Sequence, residues 1–126
     1  MSVFKKGFTL IEVLVVLAII ATLLSLVTPR YFDSMNRSKE KILKHDLIVM
    51  REAIDQYYSD KNVYPESLQD LVQYQYLRAI PEDPITQSTL TWMLSPPLDV
   101  EAKGAIYDIH SGSEAVASDG SNYVDW

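Results

Sequence analysis

The 126-residue chain contains no cysteine, four glycines and two histidines. The absence of cysteine excludes a disulfide scaffold, a thiolate zinc site and a cysteine nucleophile, and it leaves the redox compartment open. The sequence also lacks a glycine-rich phosphate loop and a His-x-x-x-His pair, since His45 and His110 stand far apart. A pI near 4.7 argues against nucleic acid as a partner. We therefore expect no enzymatic activity and no nucleic-acid binding.

Basic residues are scarce in the second half of the chain. Residues 62–126 contain two basic residues, Arg78 and Lys103, against ten acidic ones, a net charge of −8. Residues 1–61 contain nine basic and seven acidic residues, a net charge of +2. This division predicts a mixed-charge helical stalk followed by an acidic, water-exposed domain.

One long hydrophobic run dominates the N-terminal part. Residues 8–29 carry a single charge, Glu12. As an α-helix this run extends about 33 Å, enough to cross a bilayer core of about 30 Å. A buried core helix would normally show a polar face, and a secretory signal would need a small-residue cleavage site after the run. The run therefore predicts a membrane-inserted helix.

The charges that flank this run leave its orientation open. Lys5 and Lys6 precede it and favour an N-terminus on the cytoplasmic side. Five basic residues between positions 30 and 44 favour the reverse. Because long domains translocate largely regardless of flanking charge, neither count is decisive.

The rest of the chain predicts an α+β fold. Pro29 should kink the helix or mark its entry into water. Residues 31–60 then show apolar side chains at intervals of three and four, typical of an amphipathic helix. This stripe comprises Leu43, Leu47, Met50, Ile54 and Tyr57. A short helix is expected from residue 68 to about 74, strands at residues 89–94 and 105–110, and a loop over 111–122, with Trp126 buried against the core.

A specific motif lies at the start of the hydrophobic run. Gly7 follows two lysines, Phe8 comes next, and Glu12 stands five residues into the segment that begins with Phe8. This pattern resembles the processing motif of type IV pilins and of the pseudopilins of type II secretion. Pro29 matches the helix-kinking proline of that family.

The resemblance continues through most of the chain. Motifs at residues 57–58, 64–65, 76–77 and 80–84 follow the order seen in the major, G-type pseudopilins, and the ending with Trp126 is similar to theirs. It departs from many of them after the Asp-Pro turn, where Ile85-Thr86 replaces Trp-Gly. The implied fold is pilin-like: a long N-terminal α-helix, membrane-spanning in its first half, packed on a small antiparallel β-sheet with a C-terminal loop.

Membership in this family implies how the chain is processed and inserted. A membrane prepilin peptidase would cleave after Gly7 and methylate the amine of Phe8. The helix would insert with its N-terminus inside, as a single pass in the bacterial inner membrane with the C-terminal domain in the periplasm. The domains would then be a leader (1–7), a filament-core helix (8–29), a stalk helix (30–61) and a periplasmic domain (62–126).

Glu12 is the main candidate for assembly. A carboxylate on a membrane helix costs roughly 2.5–3.5 kcal/mol at mid-bilayer and therefore needs a partner. The family role is pairing with the N-terminal amine of a neighbouring subunit, although the amine of its own Phe8 is also within one helical turn. A carboxylate that merely sits at the headgroup boundary is the alternative.

The resemblance also implies calcium as a cofactor, bound in the C-terminal loop. Oxygen ligands suitable for a hard cation are present there. They are Ser111, Ser113, Glu114, Asp119 and Asp125. The loop contains fewer carboxylates than is usual in the family and has no EF-hand spacing, so capping of turns by Ser and Asp side chains is the alternative.

The expected function is that of a structural subunit which polymerises into a periplasmic or surface filament and drives protein export across the outer membrane. Its partners would be copies of itself, minor pseudopilins, the prepilin peptidase and the inner-membrane assembly platform. A type IV pilus subunit is an alternative, although major pilins often close their C-terminal loop with a disulfide. A membrane-anchored binding domain that does not polymerise is an alternative of another class.

Overall fold

The computed structural model describes residues 7–126 and confirms the α+β class. Its elements are a long helix α1 (Leu10–Lys61), a short helix α2 (Leu68–Gln73), two strands β1 (Met93–Ser95) and β2 (Asp108–His110), and a 3-10 turn at Tyr123–Asp125. The chain divides into two compact units, one that extends to Met35 and one that comprises Asn36–Trp126.

The first unit is a helix without a core. α1 continues through Pro29, and every described residue up to Met35 is exposed, the aliphatic side chains included. By length and composition, α1 is apolar enough to cross a membrane.

The second half of α1 provides the core of the second unit. All five residues of the predicted stripe are buried, with Ile54 and Leu43 fully enclosed. They pack with apolar residues from α2, the sheet and the C-terminal loop. These partners include Leu71, Trp92, Ile109 and Tyr123. The periodicity of the sequence therefore identified the buried face correctly, because an amphipathic helix buries its apolar stripe.

The sheet is antiparallel but shorter than predicted. Leu94 pairs with Ile109 at its centre. The predicted second strand loses its first residues because the amides of Ala105 and Ile106 both donate to the carbonyl of Pro65, and pairing with β1 starts only at Tyr107. The predicted first strand, residues 89–94, begins only at Met93; the buried indole of Trp92, just before it, donates to the carbonyl of Pro81 at 2.8 Å.

The loop between the strands is fixed at its base by Gly104. This residue has φ +108°, and a Cβ built on it would lie 2.1 Å from the carbonyl oxygen of Tyr64. The amide of Tyr64 donates to the carbonyl of Lys103 at 2.8 Å. The segment that follows α1 and the end of this loop are therefore in direct contact through their backbones.

Candidate functional site

The peptide bond between Gly7 and Phe8 lies outside the helix. Residues 7–9 have no regular secondary structure, and Phe8 is 87% exposed. Within residues 7–126, and apart from the residues bonded to Gly7, no atom lies within 4 Å of the position that a Cβ on Gly7 would take. Lys5 and Lys6 of the predicted motif are outside the described residues. The bond is thus sterically open and immediately precedes α1, which starts at Leu10.

Glu12 takes part in a capping box. The amide of Thr9 donates to Oε2 of Glu12 at 2.9 Å, and the amide of Glu12 donates to Oγ1 of Thr9 at 3.2 Å. These two bonds satisfy amides that a helix start leaves without partners, and the carboxylate interacts favourably with the helix dipole. The pattern Thr-x-x-Glu at residues 9–12 is a sequence signal for this cap.

The hydroxyl groups of the apolar helix are satisfied within it. Thr22, Ser25 and Thr28 each donate to the carbonyl four residues earlier, at 2.6–2.8 Å. Pro29 has no amide hydrogen, so the helix lacks the hydrogen bond that this position would donate to the carbonyl of Ser25, four residues earlier. The polar side chains of this stretch therefore do not prevent its surface from contacting lipid or other helices.

Glu40 ties the C-terminal loop to α1. Its carboxylate accepts hydrogen bonds from the amide and hydroxyl of Ser118 and from the hydroxyl of Tyr123, at 2.7–2.8 Å. Burial opposes ionisation of Glu40, but these bonds outweigh it and lower its pKa. Burial, reinforced by the bond to Glu40, raises the pKa of Tyr123 to about 12. No residue pattern indicates this contact between Glu40 and Ser118, which are 78 residues apart.

Asp83 is a second buried carboxylate that the sequence did not identify. It is fully buried, accepts from the hydroxyl of Ser111 at 2.6 Å through one oxygen, and from the amides of Ile85 and Thr86 through the other. Its partners are neutral donors, which satisfy the carboxylate without a cation. Asp83 therefore links the Asp-Pro turn to the chain that follows β2.

The five predicted calcium ligands do not form one visible cluster. Ser111 is buried and bonded to Asp83, and the hydroxyl of Ser113 accepts from the amide of Ala115. Asp119 is bonded to Ser121, which lowers the pKa of Asp119, whereas Glu114 is exposed and Asp125 ends the 3-10 turn. Among residues 7–126, no three acidic or histidine side chains are grouped to hold a metal ion. The calcium site stays a prediction.

Arg51 connects α1 to β2 and to Trp126. Its guanidinium pairs with Asp108 at 2.8 Å and donates to the main-chain oxygens of Ile109 and Trp126. His110 lies 2.7 Å from the same oxygen of Trp126 through Nδ1. The Trp126 ring packs against Tyr123 and beneath the ammonium of Lys44. The burial of Trp126 is partial, but the tail is anchored as the sequence indicated.

Comparisons with known proteins agree with this architecture. Residues 4–28 match the family model described as the prokaryotic N-terminal methylation motif. Type II secretion system core protein G of Vibrio cholerae serotype O1 is 30% identical, over 94% of this chain and 92% of the relative. The proteins of the same name from Klebsiella michiganensis and Klebsiella pneumoniae are 30% and 31% identical, over 64% of this chain and 68% and 69% of their own lengths. No solved structure matches the chain significantly.

A long, exposed apolar helix that begins at a methylation motif and continues into a small α+β unit defines a pilin-like protein. The chain belongs to the family of type II secretion system core protein G. It is a pseudopilin subunit anchored by its N-terminal helix, and no comparison favours the pilus subunit or the non-polymerising domain.

Proposed function

We propose that the chain is cleaved after Gly7 by a prepilin peptidase, methylated on Phe8, and polymerised with copies of itself into a filament that drives protein export. The observation that carries this proposal is the exposed Gly7–Phe8 bond at the entrance to a membrane-capable helix. A protease needs its substrate bond accessible and outside regular structure, and both conditions hold at this bond.

Orientation follows from the same proposal. With the leader and its two lysines on the cytoplasmic side, residues 8–29 span the inner membrane and residues 62–126 lie in the periplasm, joined to the span by the stalk of residues 30–61. The acidic composition of residues 62–126 suits a water-exposed domain.

Glu12 would change its hydrogen-bond partner on assembly. In the uncleaved chain its carboxylate is held by the amide of Thr9. Cleavage creates an amine on Phe8, and a charged partner forms a stronger bond with a carboxylate than a neutral amide does. We propose that the amine of a neighbouring subunit takes this place, which offsets the cost of a carboxylate in the membrane.

The exposed apolar helix supports a role in a filament core. Its aliphatic side chains are covered by lipid before assembly and by equivalent helices after it. The small residues Ala18, Ala21 and Ser25, at spacings of three and four, would allow close approach. Minor pseudopilins and the inner-membrane assembly platform complete the set of proposed partners, and the subunit's role is structural rather than catalytic.

Calcium binding in the C-terminal loop is part of the proposal, with Glu114, Asp119 and Asp125 as the carboxylates. It draws support from their position in one acidic segment. The ion would need these side chains to come closer together than they are in this structure.

The experiment is mass spectrometry of the protein extracted from membranes of cells with and without a prepilin peptidase. We expect a chain that starts at N-methyl-Phe8 in the first case and an intact Met1 in the second. Replacing Gly7 by Val should block cleavage, whereas replacing Val3 by Ala in the leader should not. An intact N-terminus in cells that process other prepilins would contradict the proposal.

A further inference from the structure

The loop between the two strands presents two aliphatic side chains to solvent. Leu98 is 92% exposed and Val100 is 97% exposed, the highest value among the large hydrophobic residues that the structure describes. Asp99 shapes the tip, because its carboxylate accepts the amide of Glu101 at 3.0 Å. The acidic side chains of Asp99 and Glu101 are exposed on either side of Val100. The tip is thus a turn of alternating aliphatic and acidic residues.

A groove that combines apolar side chains with basic ones lies on α1 in the same unit. It has a volume of about 320 Å³ and is bounded by Lys44, Leu47, Ile48, Arg51, Asp119 and Trp126. Ile48 is 54% exposed although it sits in the middle of an otherwise packed helix. The aliphatic surface of Ile48 and the ring of Trp126 offer contact to apolar side chains, and Lys44 lies at the edge with its ammonium 4.6 Å from the ring centre.

The groove lies within a basic stripe. Arg37, Lys41, Lys44 and Arg51 occur with Ile48 at successive spacings of four, three, four and three, which places all five on one face of the helix. Arg51 is paired with Asp108, and Asp119 lies near Lys44. Among residues 7–126, neither Arg37 nor Lys41 forms an ion pair. The stripe therefore keeps an excess of positive charge.

The loop cannot fill the groove of its own chain. Its base lies beside Tyr58, Lys61 and Asn62 at the end of α1, where it lines a common cavity with them. Thirteen residues of helix separate Ile48 from Lys61, a distance of about 20 Å at 1.5 Å per residue. Lys61 and Lys103 lie close to the acidic tip, but Lys61 is placed over the ring of Tyr74 at 3.9 Å.

We propose that the tip formed by residues 98–101 of one copy of this chain docks into the groove of the next copy, with Leu98 and Val100 against Ile48 and Trp126. Asp99 and Glu101 then face the basic stripe. The chain itself is the favoured partner because the two surfaces match in charge and in apolar character. This inference rests on the proposed polymerisation and names one of its contacts.

The contact has a direct geometrical consequence. Tip and groove are different surfaces, so the interface is heterologous and leaves a free tip at one end and a free groove at the other. Such a contact continues indefinitely unless rotation closes it into a ring. The offset of about 20 Å along α1 would stagger successive copies along the helix direction.

Cysteine cross-linking of the full-length chain tests the proposal, because the natural chain contains no cysteine. Val100→Cys combined with Ile48→Cys would be produced with the secretion components that assemble it, and sheared filaments would be oxidised. We expect a ladder of cross-linked multimers, with no ladder from either single variant. As a matched control, Leu90→Cys with Ile48→Cys gives no ladder, although Leu90 is as exposed as Leu98.

Charge reversal provides a test that is independent of cysteine. Lys44→Glu should reduce filament yield about tenfold, because it places like charges opposite Glu101. Glu101→Lys should act similarly, and the double variant should restore the yield. Failure of the double variant to recover, while both single variants fold, would overturn the contact.

The outcomes separate the two proposals. If the unsubstituted chain forms no filaments in a host with all secretion components, the proposed polymerisation fails and the contact fails with it. If filaments form without the Val100–Ile48 ladder, the contact alone is wrong. A third outcome concerns the reaction of a Val100→Cys thiol with maleimide. If vesicles of anionic phospholipid protect this thiol but filament assembly does not, the loop contacts a membrane surface. That result would also overturn the contact.

Discussion

The two units of this chain differ in whether their apolar and acidic side chains are exposed or buried. Up to Met35, every described aliphatic residue is exposed and the carboxylate of Glu12 is satisfied three residues away. In residues 36–126, the aliphatic stripe of α1 is buried, and the carboxylates of Glu40 and Asp83 are buried with hydrogen bonds from distant residues. The first unit satisfies its polar groups locally and depends on its surroundings for its apolar surface. The second unit buries its aliphatic stripe and these two carboxylates internally.

The largest expected effect concerns Glu12, the single carboxylate of the apolar run 8–29. Glu12→Ala should abolish filament assembly, because it removes the proposed partner of the neighbouring amine, while the chain remains cleaved and inserted. Electron microscopy and sedimentation of sheared filaments would measure this. Glu52→Ala, which removes an exposed carboxylate from the second half of the same helix, is the control and should assemble normally. Filaments of unaltered yield from Glu12→Ala would disprove the pairing role.

The second prediction concerns the buried stripe of the second unit. Ile54→Ala should lower the free energy of unfolding by about 2–5 kcal/mol, because the side chain is fully buried and leaves a cavity. Ile42→Ala changes the same residue type at a position that is half exposed, and it should cost less than about 1 kcal/mol. Denaturant unfolding of the full chain in detergent measures both, and equal effects would mean that the stripe is not a core.

The third prediction concerns the carboxylate that connects α1 to the C-terminal loop. Since hydrogen bonds lower the pKa of Glu40 in the folded state, its contribution to stability is present above its ordinary pKa of 4.5 and is lost as the pH falls through the lower, folded value. Glu40→Gln should therefore weaken the fold near neutral pH by about 1–3 kcal/mol and flatten its acid dependence. Glu52→Gln should leave the acid limb of the profile unchanged.

The fourth prediction concerns the contribution of the Tyr123 hydroxyl to stability at alkaline pH. Its pKa is raised to about 12 in the folded state, from an ordinary value of 10. The stabilising contribution is complete below pH 10 and declines as the pH rises from 10 to about 12. Tyr123→Phe should shift this decline to higher pH in thermal scans, and Tyr31→Phe, at an exposed position, should not. An unchanged alkaline limb in Tyr123→Phe would argue against the hydroxyl contact with Glu40.

The smallest expected effect is the change in melting temperature when calcium is removed. If Glu114, Asp119 and Asp125 bind the ion, chelation should lower the melting temperature of the full chain, because a ligand that binds only the folded state stabilises it. Asp125→Asn should remove the response to chelator. An identical melting temperature in excess calcium and in chelator would eliminate the site.

The sequence predicted those structural features that depend on the spacing of residues close together in the chain. The membrane-length run, the buried stripe of α1 and the short helix near residue 68 all follow from features within a few residues of each other. The cap formed by Thr9 and Glu12 belongs to the same class and could have been predicted. The links from Glu40 to Ser118 and from Asp83 to Ser111 could not, because one sequence does not indicate which distant polar residues meet.

The strands show where local propensity fails. Residues 105–106 have the composition of a strand, yet their amides bond to Pro65, a partner 40 residues earlier, and the strand is shortened. Strand length depends on which backbone groups compete for pairing, and that competition is decided by tertiary contacts.

The backbone contact at Gly104 has a consequence for how the loop can change over generations. A side chain at this position would collide with the carbonyl of Tyr64, and φ +108° is strained for any other residue, so a saturation library should tolerate glycine alone. Leu98 and Val100, a few positions earlier, touch nothing that the fold requires, so the same library should accept almost any residue there in a stability screen. A glycine that the fold requires beside a tip that the fold does not require lets the surface of this loop be set by the proposed contact between copies rather than by folding.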